Sequence, residues 1–240
     1  MIEGLKEVKF NNNLASSPIK NYENKGLLEK QDNISDSTSN TSEKQLDVNV
    51  NNLESNIKNI LMSISDIEGN TCLNNEVLEN TPKRFIKAFT ELTSGYHINV
   101  KELILSAVFD SEGYDDIVLV DDIHFNSLCE HHLLPFNGEV SIGYIPSGKI
   151  LGLSKFARLV EAYSKRLSLQ ERLTKEIALA LDTYLQPKGV VVMITSSHSC
   201  MSIRGVKSLG SKTKTVFTTG EFKSKQESLN KFFLLKSSLK

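Results

Sequence analysis

The order of helical and strand-like segments limits the folds open to this chain more than any other feature of its sequence. Segments 116–127 and 138–146 are rich in β-branched and aromatic residues, and two segments with helical spacing follow them. Two more strand-like segments then cover residues 189–203 and 213–222. Strands that come in consecutive pairs, separated by helices, favour an antiparallel sheet. We therefore predict an α+β protein with helices on one face of an antiparallel sheet.

The helices are predicted from apolar residues spaced three and four positions apart. One begins near Leu53, and the next has Thr81 as its N-cap and Pro82 at its first helical position. The second helix should bury an apolar stripe that consists of Phe85, Ala88, Phe89 and Leu92. The two helices between the strand pairs should begin at Ser154 and Ser168.

The composition sets the first 54 residues apart and excludes several classes of protein. Residues 1–54 are rich in Asn and poor in aromatic residues, so they bury too little apolar surface to offset the entropy lost on ordering. We predict a disordered extension there. A net charge of −1 provides no field that attracts nucleic acid or anionic membranes. No apolar run approaches the roughly 18 residues that span a bilayer, and the N-terminus lacks the apolar core of a signal peptide. We expect a cytoplasmic protein.

Cysteine and histidine are concentrated in two short segments. Cys129 and His132 are separated by two residues, a spacing that lets a tight turn direct both side chains at one zinc ion. Cys200 is the candidate third ligand, and on a strand His198 would share its face. Three protein ligands leave a position for water, as in catalytic zinc sites. Two alternatives remain open: the cysteines are small buried apolar residues, or Cys129 and Cys200 form a disulfide, which a reducing compartment disfavours.

Basic residues lie near the predicted starts of two helices, where the positive end of the helix dipole disfavours cations. Arg84 and Lys87 share one helix face and Lys155 and Arg158 share another, because each pair is three residues apart. A bound anion would compensate these charges, which favours a phosphate-containing ligand. The alternative is a set of solvated surface cations, the interpretation that we prefer for Lys83.

Glu171 also has two interpretations. It follows Ser168 by three residues, which is the spacing of a capping box in which the glutamate bonds back to the serine amide. From spacing alone, this structural role is favoured over a role in binding.

Three long stretches resemble the signature blocks of the GTP cyclohydrolase I family. They are residues 127–146 (SLCEHHLLPFNGEVSIGYIP), 152–178 (GLSKFARLVEAYSKRLSLQERLTKEIA) and 198–215 (HSCMSIRGVKSLGSKTKT). The resemblance implies conversion of GTP and water to 7,8-dihydroneopterin triphosphate and formate, the first step towards folate or tetrahydrobiopterin. It also implies the tunnelling fold, a four-stranded antiparallel sheet with two helices between strands two and three. The expected assembly is a toroidal homodecamer of two pentamers.

The resemblance further implies a division of the chain and a role for each matching residue. The catalytic domain would cover 55–240, with N-terminal helices in 55–97 and the tunnelling fold in 114–240. Zinc would be held by Cys129, His132 and Cys200, and the catalytic histidines would be His131 and His198. The residues expected to contact GTP are Glu171 and Gln170 at guanine, Ser154, and, at the triphosphate, Arg84, Lys87, Lys155, Arg158 and Arg204. For Glu171, the resemblance replaces the capping interpretation.

One departure from the family, one expected packing contact and two rival functions complete the expectations. Ser141 stands where many family members carry His, which should affect packing rather than activity. The C-terminal segment 227–238 should pack against the body of the protein. One rival is a nitrile reductase or pterin synthase of the same fold, although both clustered cysteines are accounted for by zinc. The other is a protein that only binds GTP or a pterin, although every expected site position is intact.

Overall fold

The computed structural model describes residues 52–238, except for residues 65, 67 and 71. Residues 1–51 of the predicted disordered extension lie outside the described residues, and residues 52–54 begin the first helix. The helices are 52–62 (α1), Asn75–Leu92 (α2), Val100–Leu105 (α3), Leu153–Ser164 (α4), Gln170–Leu185 (α5), Ser199–Ser202 (α6), Gly220–Ser224 (α7) and Gln226–Ser238 (α8), with a 3-10 turn at Ser94–His97. The strands are Val108–Asp110 (β1), Val118–Cys129 (β2), Pro135–Ile145 (β3), Lys149–Leu151 (β4), Leu167–Ser168 (β5), Gly189–His198 (β6) and Thr213–Thr218 (β7).

The main sheet has the strand order β5-β2-β3-β6-β7. Its four long strands pair antiparallel, and the two-residue β5 lies parallel to the end of β2. Helices α4 and α5 connect β3 to β6, with β4 and β5 on the way. The prediction of an α+β fold with an antiparallel sheet is confirmed. Strand β5 and the separate β1–β4 pair were not predicted, because strands of two or three residues carry no periodicity.

Helices cover both faces of the sheet, so the prediction of helices on one face is wrong. On one face, α4 and α5 each bury an apolar stripe, and residues such as Leu159, Leu173 and Ile177 are fully buried against it. On the other face, Phe222 of α7 and Phe232 of α8 form a second, smaller core. The second core escaped prediction because the C-terminal segment has no clear amphipathic pattern.

The strand β2 changes the face to which its side chains point. Pairing with β3 is regular up to Val120 and regular again from Ile123, with one extra residue on β2 between these points. Asp122 in this β-bulge has a left-handed backbone with φ of 53°. As a result, Val120 before the bulge and Phe125 and Cys129 after it all contact the core beneath α4 and α5.

Helix α8 is attached to the sheet by one aromatic residue and one ion pair. Phe232 lies over Gly143, where a Cβ atom would stand 2.7 Å from the phenylalanine ring, so a side chain at 143 has no room. Lys236 forms an ion pair with Asp121 at 2.7 Å, and Ser141 bonds to both, at 2.5 Å each. The expectation that the C-terminal segment packs on the body is confirmed.

Helix α2 differs from its prediction in both position and environment. It begins at Asn75, where Asn74 caps it by accepting from the Val77 amide, so Thr81 is not the N-cap and Pro82 lies inside the helix. Its predicted buried stripe is largely open, with Phe85 43% exposed, because no other part of the described chain covers it. Among the described residues, no helix is long and apolar enough to cross a bilayer.

Candidate active site

Three predicted metal ligands come together beside the end of β2. The ligand atoms of Cys129, His132 and Cys200 all lie within 4.8 Å of one another. The turn after Cys129 brings His132 back towards it, because the His132 and Leu133 amides both donate to the Cys129 carbonyl. Leu133 accepts a left-handed backbone there, with φ of 54°. Cys200 arrives from the far end of β6.

Cys200 does not lie on the predicted strand, although it reaches the cluster. The predicted strand 189–203 ends at His198, and Cys200 lies in the short helix α6. Cys200 therefore does not alternate with His198 along one strand face. The helical turn of α6 places the Cys200 sulfur next to Cys129 instead.

The donor set and its spacing fit zinc. Two thiolates and one imidazole are common zinc ligands, and atoms at the corners of a zinc tetrahedron lie about 3.6 Å apart. The Cys129 sulfur and the His132 Nδ1 atom are separated by 3.8 Å. Burial raises the pKa of the Cys200 thiol, and the neighbouring Cys129 sulfur raises it further. Both cysteines are free in the structure, so they do not form the alternative disulfide.

His198 stands beside this cluster in a fixed orientation. Its ring stacks on Phe136, with ring centroids 4.8 Å apart and planes 3° from parallel. Its Nε2 atom lies 2.9 Å from Oε1 of Gln170 and 3.1 Å from Oγ of Ser196. Burial lowers the pKa of His198, and the Glu171 carboxylate partly offsets this effect. The ring therefore favours the neutral form near neutral pH.

The side chain of Gln170 determines which nitrogen of His198 carries hydrogen. Its amide nitrogen donates to the carbonyl oxygens of Ile194 and Thr213, and to Oγ1 of Thr215, each at 3.1 Å. Carbonyl oxygens only accept, so the orientation of the amide is fixed. Its oxygen can then only accept, and the hydrogen must lie on Nε2 of His198. Nδ1 is left as the nitrogen that can serve a ligand.

The cluster and His198 share one cavity of about 230 Å³. Its walls also include His131, Gln170 and Glu171. Glu171 is exposed at the start of α5, and no side-chain hydrogen bond caps this helix. Ser168 donates its hydroxyl to the Leu169 carbonyl instead. The capping box suggested by the spacing is therefore absent, and the Glu171 carboxylate is available to a ligand.

The expected triphosphate contacts lie elsewhere. None of the five residues expected at the triphosphate lines the cavity: Arg84, Lys87, Lys155, Arg158 and Arg204. Ser154, the other expected substrate contact, also lies outside it. Arg84 pairs with Glu76 on α2, and Lys155 donates to the Ser106 hydroxyl at 2.9 Å. Arg158 lines a different cavity, together with His124. Arg84 does not lie at a helix start, because α2 begins well before it, whereas Lys155 lies in the first turn of α4.

Three residues that organise the site were not predicted from the sequence. Phe136 and Ser196 contact His198, and Arg172 binds Glu130 in the turn at residues 129–133, which we call the metal turn. Phe136 and His198 are register partners of β3 and β6, so correct strand pairing would have predicted their contact. The Glu130–Arg172 pair joins positions 42 residues apart, and nothing in the local sequence signals it.

The fold and the cavity together define an enzyme-like α+β protein, in which a Cys–His–Cys ligand set adjoins a histidine and a carboxylate. Comparison with known proteins narrows this class to one family. The sequence model of a family described as GTP cyclohydrolase I matches residues 53–236. The chain therefore belongs to the GTP cyclohydrolase I family, and the prediction of this enzyme is confirmed.

Individual relatives carry the same name. GTP cyclohydrolase 1 of Allorhizobium ampelinum is 49% identical over 150 residues, which cover 62% of this chain and 75% of the relative. That of Gloeobacter violaceus is 51% identical over 155 residues, covering 65% and 72%. That of Saccharomyces cerevisiae is 51% identical over 152 residues, covering 63% and 62%. A crystal structure of the archaeosine synthase QueF-Like in the apo form is similar over 44% of this chain and 94% of its own, with 24% identity and a TM-score of 0.37.

Proposed function

We propose that this chain converts GTP and water to 7,8-dihydroneopterin triphosphate and formate, the first step towards folate or tetrahydrobiopterin. The observation that carries the proposal is the joint position of Cys129, His132, Cys200 and His198 in one cavity of a GTP cyclohydrolase I family member. Opening the imidazole ring of a purine requires a hydrolytic group and a proton donor close together, and this cavity provides ligands and side chains for both.

Zinc is the proposed cofactor, held by Cys129, His132 and Cys200. When bound, it supplies Lewis-acid activation for hydrolysis at C8 of the purine. The chain's own contribution at this point is to hold three ligands in a preformed arrangement. Two of them belong to one turn that is closed by hydrogen bonds to the Cys129 carbonyl.

His198 is the proposed proton donor to the purine ring nitrogen next to C8. Gln170 keeps hydrogen on Nε2, so a second proton taken up at Nδ1 can be delivered to the substrate. Stacking on Phe136 limits rotation of the ring and keeps this direction constant. His131 lines the same cavity with an exposed side chain, which suits proton transfer during formate release and the later ring closure.

Glu171 is the proposed determinant of specificity for guanine. A carboxylate offers two acceptors, which complement the two donors that guanine presents at N1 and at the 2-amino group. Adenine lacks this pair of donors. The side chain is exposed at the cavity and free of a capping bond, so it can meet the base directly. Gln170 was expected at guanine too, and its side chain is already engaged with His198 and three acceptors.

A complete GTP site requires more than one copy of the chain, and we infer that the active form is a homo-oligomer. The cavity of about 230 Å³ is smaller than the typical range for ligand sites, roughly 300–1,000 Å³. The expected triphosphate residues lie outside it. The apolar stripe of α2, including Phe85, is uncovered and suits burial against a second copy. A toroidal decamer of two pentamers, built on the tunnelling fold, is the proposed assembly.

A direct assay tests the proposal. Full-length protein is stripped of metal with a chelator and incubated with GTP, with and without added Zn²⁺. We expect neopterin fluorescence after oxidation, and formate in equal amount to the GTP consumed, only when zinc is restored. GTP that binds to the zinc-loaded protein but is never consumed would contradict the proposed function.

A matched pair of cysteine variants tests the metal site in the same samples. Cys200→Ala should reduce bound zinc from one per chain to near zero, whereas Cys72→Ala should leave it unchanged. Cys72 is exposed and lies outside the cavity, so it controls for the loss of any thiol. Full zinc content in Cys200→Ala would remove this residue from the ligand set.

A further inference from the structure

A paired contact joins the metal turn to the helix that carries Glu171. The Arg172 guanidinium donates from Nη1 to Oε2 of Glu130 at 2.5 Å, and from Nη2 to Oε1 at 2.9 Å. Two parallel hydrogen bonds of this kind restrict both distance and angle, which a single ion pair does not. The contact therefore fixes both the distance and the relative orientation of the Glu130 and Arg172 side chains.

Glu130 and Arg172 are each next in sequence to residues of the candidate active site. Glu130 lies between Cys129 and His131 in the metal turn, and Arg172 directly follows Glu171. The backbone strengthens the connection, because the Glu130 amide donates to the Ser168 carbonyl at 3.2 Å, where β2 and β5 pair. Neither Glu130 nor Arg172 lines the cavity. They can act on the reaction only by placing the groups next to them.

Stability does not account for this contact. The side chains of Arg172 and Glu130 are 46% and 25% exposed, and ion pairs in such positions contribute little to folding. The cores on both faces of the sheet supply the stability of this region instead. What the contact adds is a constraint between the metal turn and the first turn of α5.

We propose that Glu130 and Arg172 form a positioning pair that fixes the metal ligands relative to the guanine-binding carboxylate of Glu171. The role rests on the proposed function, because the substrate itself makes this separation matter. A purine is rigid, and it must meet Glu171 at its N1 edge while C8 meets the metal. A misplacement of about 1 Å between the two anchors can cost roughly 100-fold in rate.

A double-mutant cycle tests the pair. Glu130→Gln and Arg172→Met are made singly and together, and kcat, KM for GTP and bound zinc are measured for each. Each single variant should lower kcat at least about 10-fold while retaining one zinc per chain and a KM within about 3-fold of the parent. The kcat of the double variant should fall no further than that of the worse single variant, because either single change already breaks the contact between the two side chains. Arg172→Lys keeps the charge but not the two parallel hydrogen bonds of the guanidinium, so its kcat should lie between those of Arg172→Met and the parent.

Asp116 and Lys231 provide the matched control. They form a comparably exposed ion pair at 2.5 Å on the other side of the molecule, between the chain before β2 and α8. Asp116→Asn with Lys231→Met should leave kcat unchanged. Unchanged kcat in the Glu130 and Arg172 single variants, or losses that multiply in the double variant, would overturn the positioning pair. Loss of zinc in either single variant would also overturn it, since the pair would then serve metal retention.

The outcomes for the pair and for the proposed function are separate. Failure of the unmodified, zinc-loaded protein to consume GTP would reject the function. Turnover by that protein, together with an unchanged kcat in the single and double variants, would reject the positioning pair alone. Zinc affinity, measured by competition with a chromogenic chelator, reports on the turn without any need for turnover, and it should remain within about 3-fold in all four proteins of the cycle.

Discussion

His198 donates a hydrogen bond from Nε2 to the Oε1 atom of Gln170, at 2.9 Å, and so the two residues behave as one unit. Gln170 is 1% exposed, and its amide group also bonds to β6, β7 and Ser196. A buried amide with this many partners cannot turn without leaving polar groups unsatisfied. The direction of the His198 ring is therefore set by the interior of the sheet.

Replacement of Gln170 should release the His198 ring. In Gln170→Leu, carbonyls of β6 and β7 lose their donor, so the free energy of unfolding should fall by about 2–3 kcal/mol. Imidazole nitrogen NMR should show that His198 no longer holds its hydrogen on Nε2 alone. Thr215→Val is the control, because it removes one partner of the Gln170 amide without touching His198. An unchanged tautomer in Gln170→Leu would show that Ser196 or Phe136 is sufficient.

Removal of the His198 imidazole should separate proton transfer from metal binding. His198→Ala should lower kcat by roughly 100-fold or more, the range for loss of a general acid. Bound zinc, measured by atomic absorption, should remain at one per chain, because His198 is not in the ligand cluster. His97→Ala is the control, since His97 is exposed and outside the cavity. If zinc were lost with His198, its assignment as a proton donor would have to be given up.

Glu171 should be required for binding of the guanine base. In Glu171→Ala, two donors of guanine lose a charged acceptor, which corresponds to about 1.5–3 kcal/mol, or roughly a 10- to 150-fold rise in Kd for GTP. Isothermal titration of the protein with GTP measures this change. Glu176→Ala on the same helix, outside the cavity, should bind GTP normally. Retention of full affinity in Glu171→Ala would exclude the residue from base recognition.

The Asp121–Lys236 pair should make stability depend on pH in the acid range. Burial raises the pKa of Asp121, but hydrogen bonds from Lys236 and Ser141 outweigh it and lower the pKa overall. A carboxyl whose folded pKa is lowered stabilises the protein above its unfolded pKa of about 3.9. This contribution is lost as the pH falls through the lower, folded pKa. Denaturation followed from about pH 6 to pH 2 should show the loss below about pH 4.

Lys236→Met tests the source of that dependence. The variant should lose about 1–2 kcal/mol of unfolding free energy at neutral pH, because the pair is partly buried and Asp121 loses its charge partner. The acid-dependent loss should shrink accordingly. Lys231→Met removes an exposed partner of Asp116 and should cost less than about 1 kcal/mol. An acid profile for Lys236→Met identical to that of the parent would assign the dependence to other carboxyls.

Local spacing predicted which residues meet in the site better than it predicted the helices and strands that bring them together. The two-residue separation of Cys129 and His132 is a property of one turn, so the sequence could reveal it. The position of Cys200 depends on where β6 ends and α6 begins, and the apolar pattern gave no sign of that boundary. The start of α2 was misplaced because Thr81-Pro82 is a strong local signal, whereas the effective cap is Asn74. The partners Gln170–His198 and Glu130–Arg172 depend on strand register and on helix placement, which no local pattern encodes.

The extra residue in β2 has a consequence for how this chain can change over time. Ile117 and Leu119 point to the α8 side of the sheet, whereas Phe125 and Cys129, also odd-numbered, point to the opposite side. Only the bulge between Val120 and Ile123 reconciles the two halves of the strand. Deletion of one of the two residues between these positions would remove the bulge and leave Ile123 two places after Val120, so Phe125 and Cys129 would keep their present face. A deletion between Ile123 and Cys129, where the pairing is regular, would instead turn Cys129 away from His132 and Cys200. Loss of a residue is therefore tolerated at the bulge but not in the regular part of β2 that leads to the ligands.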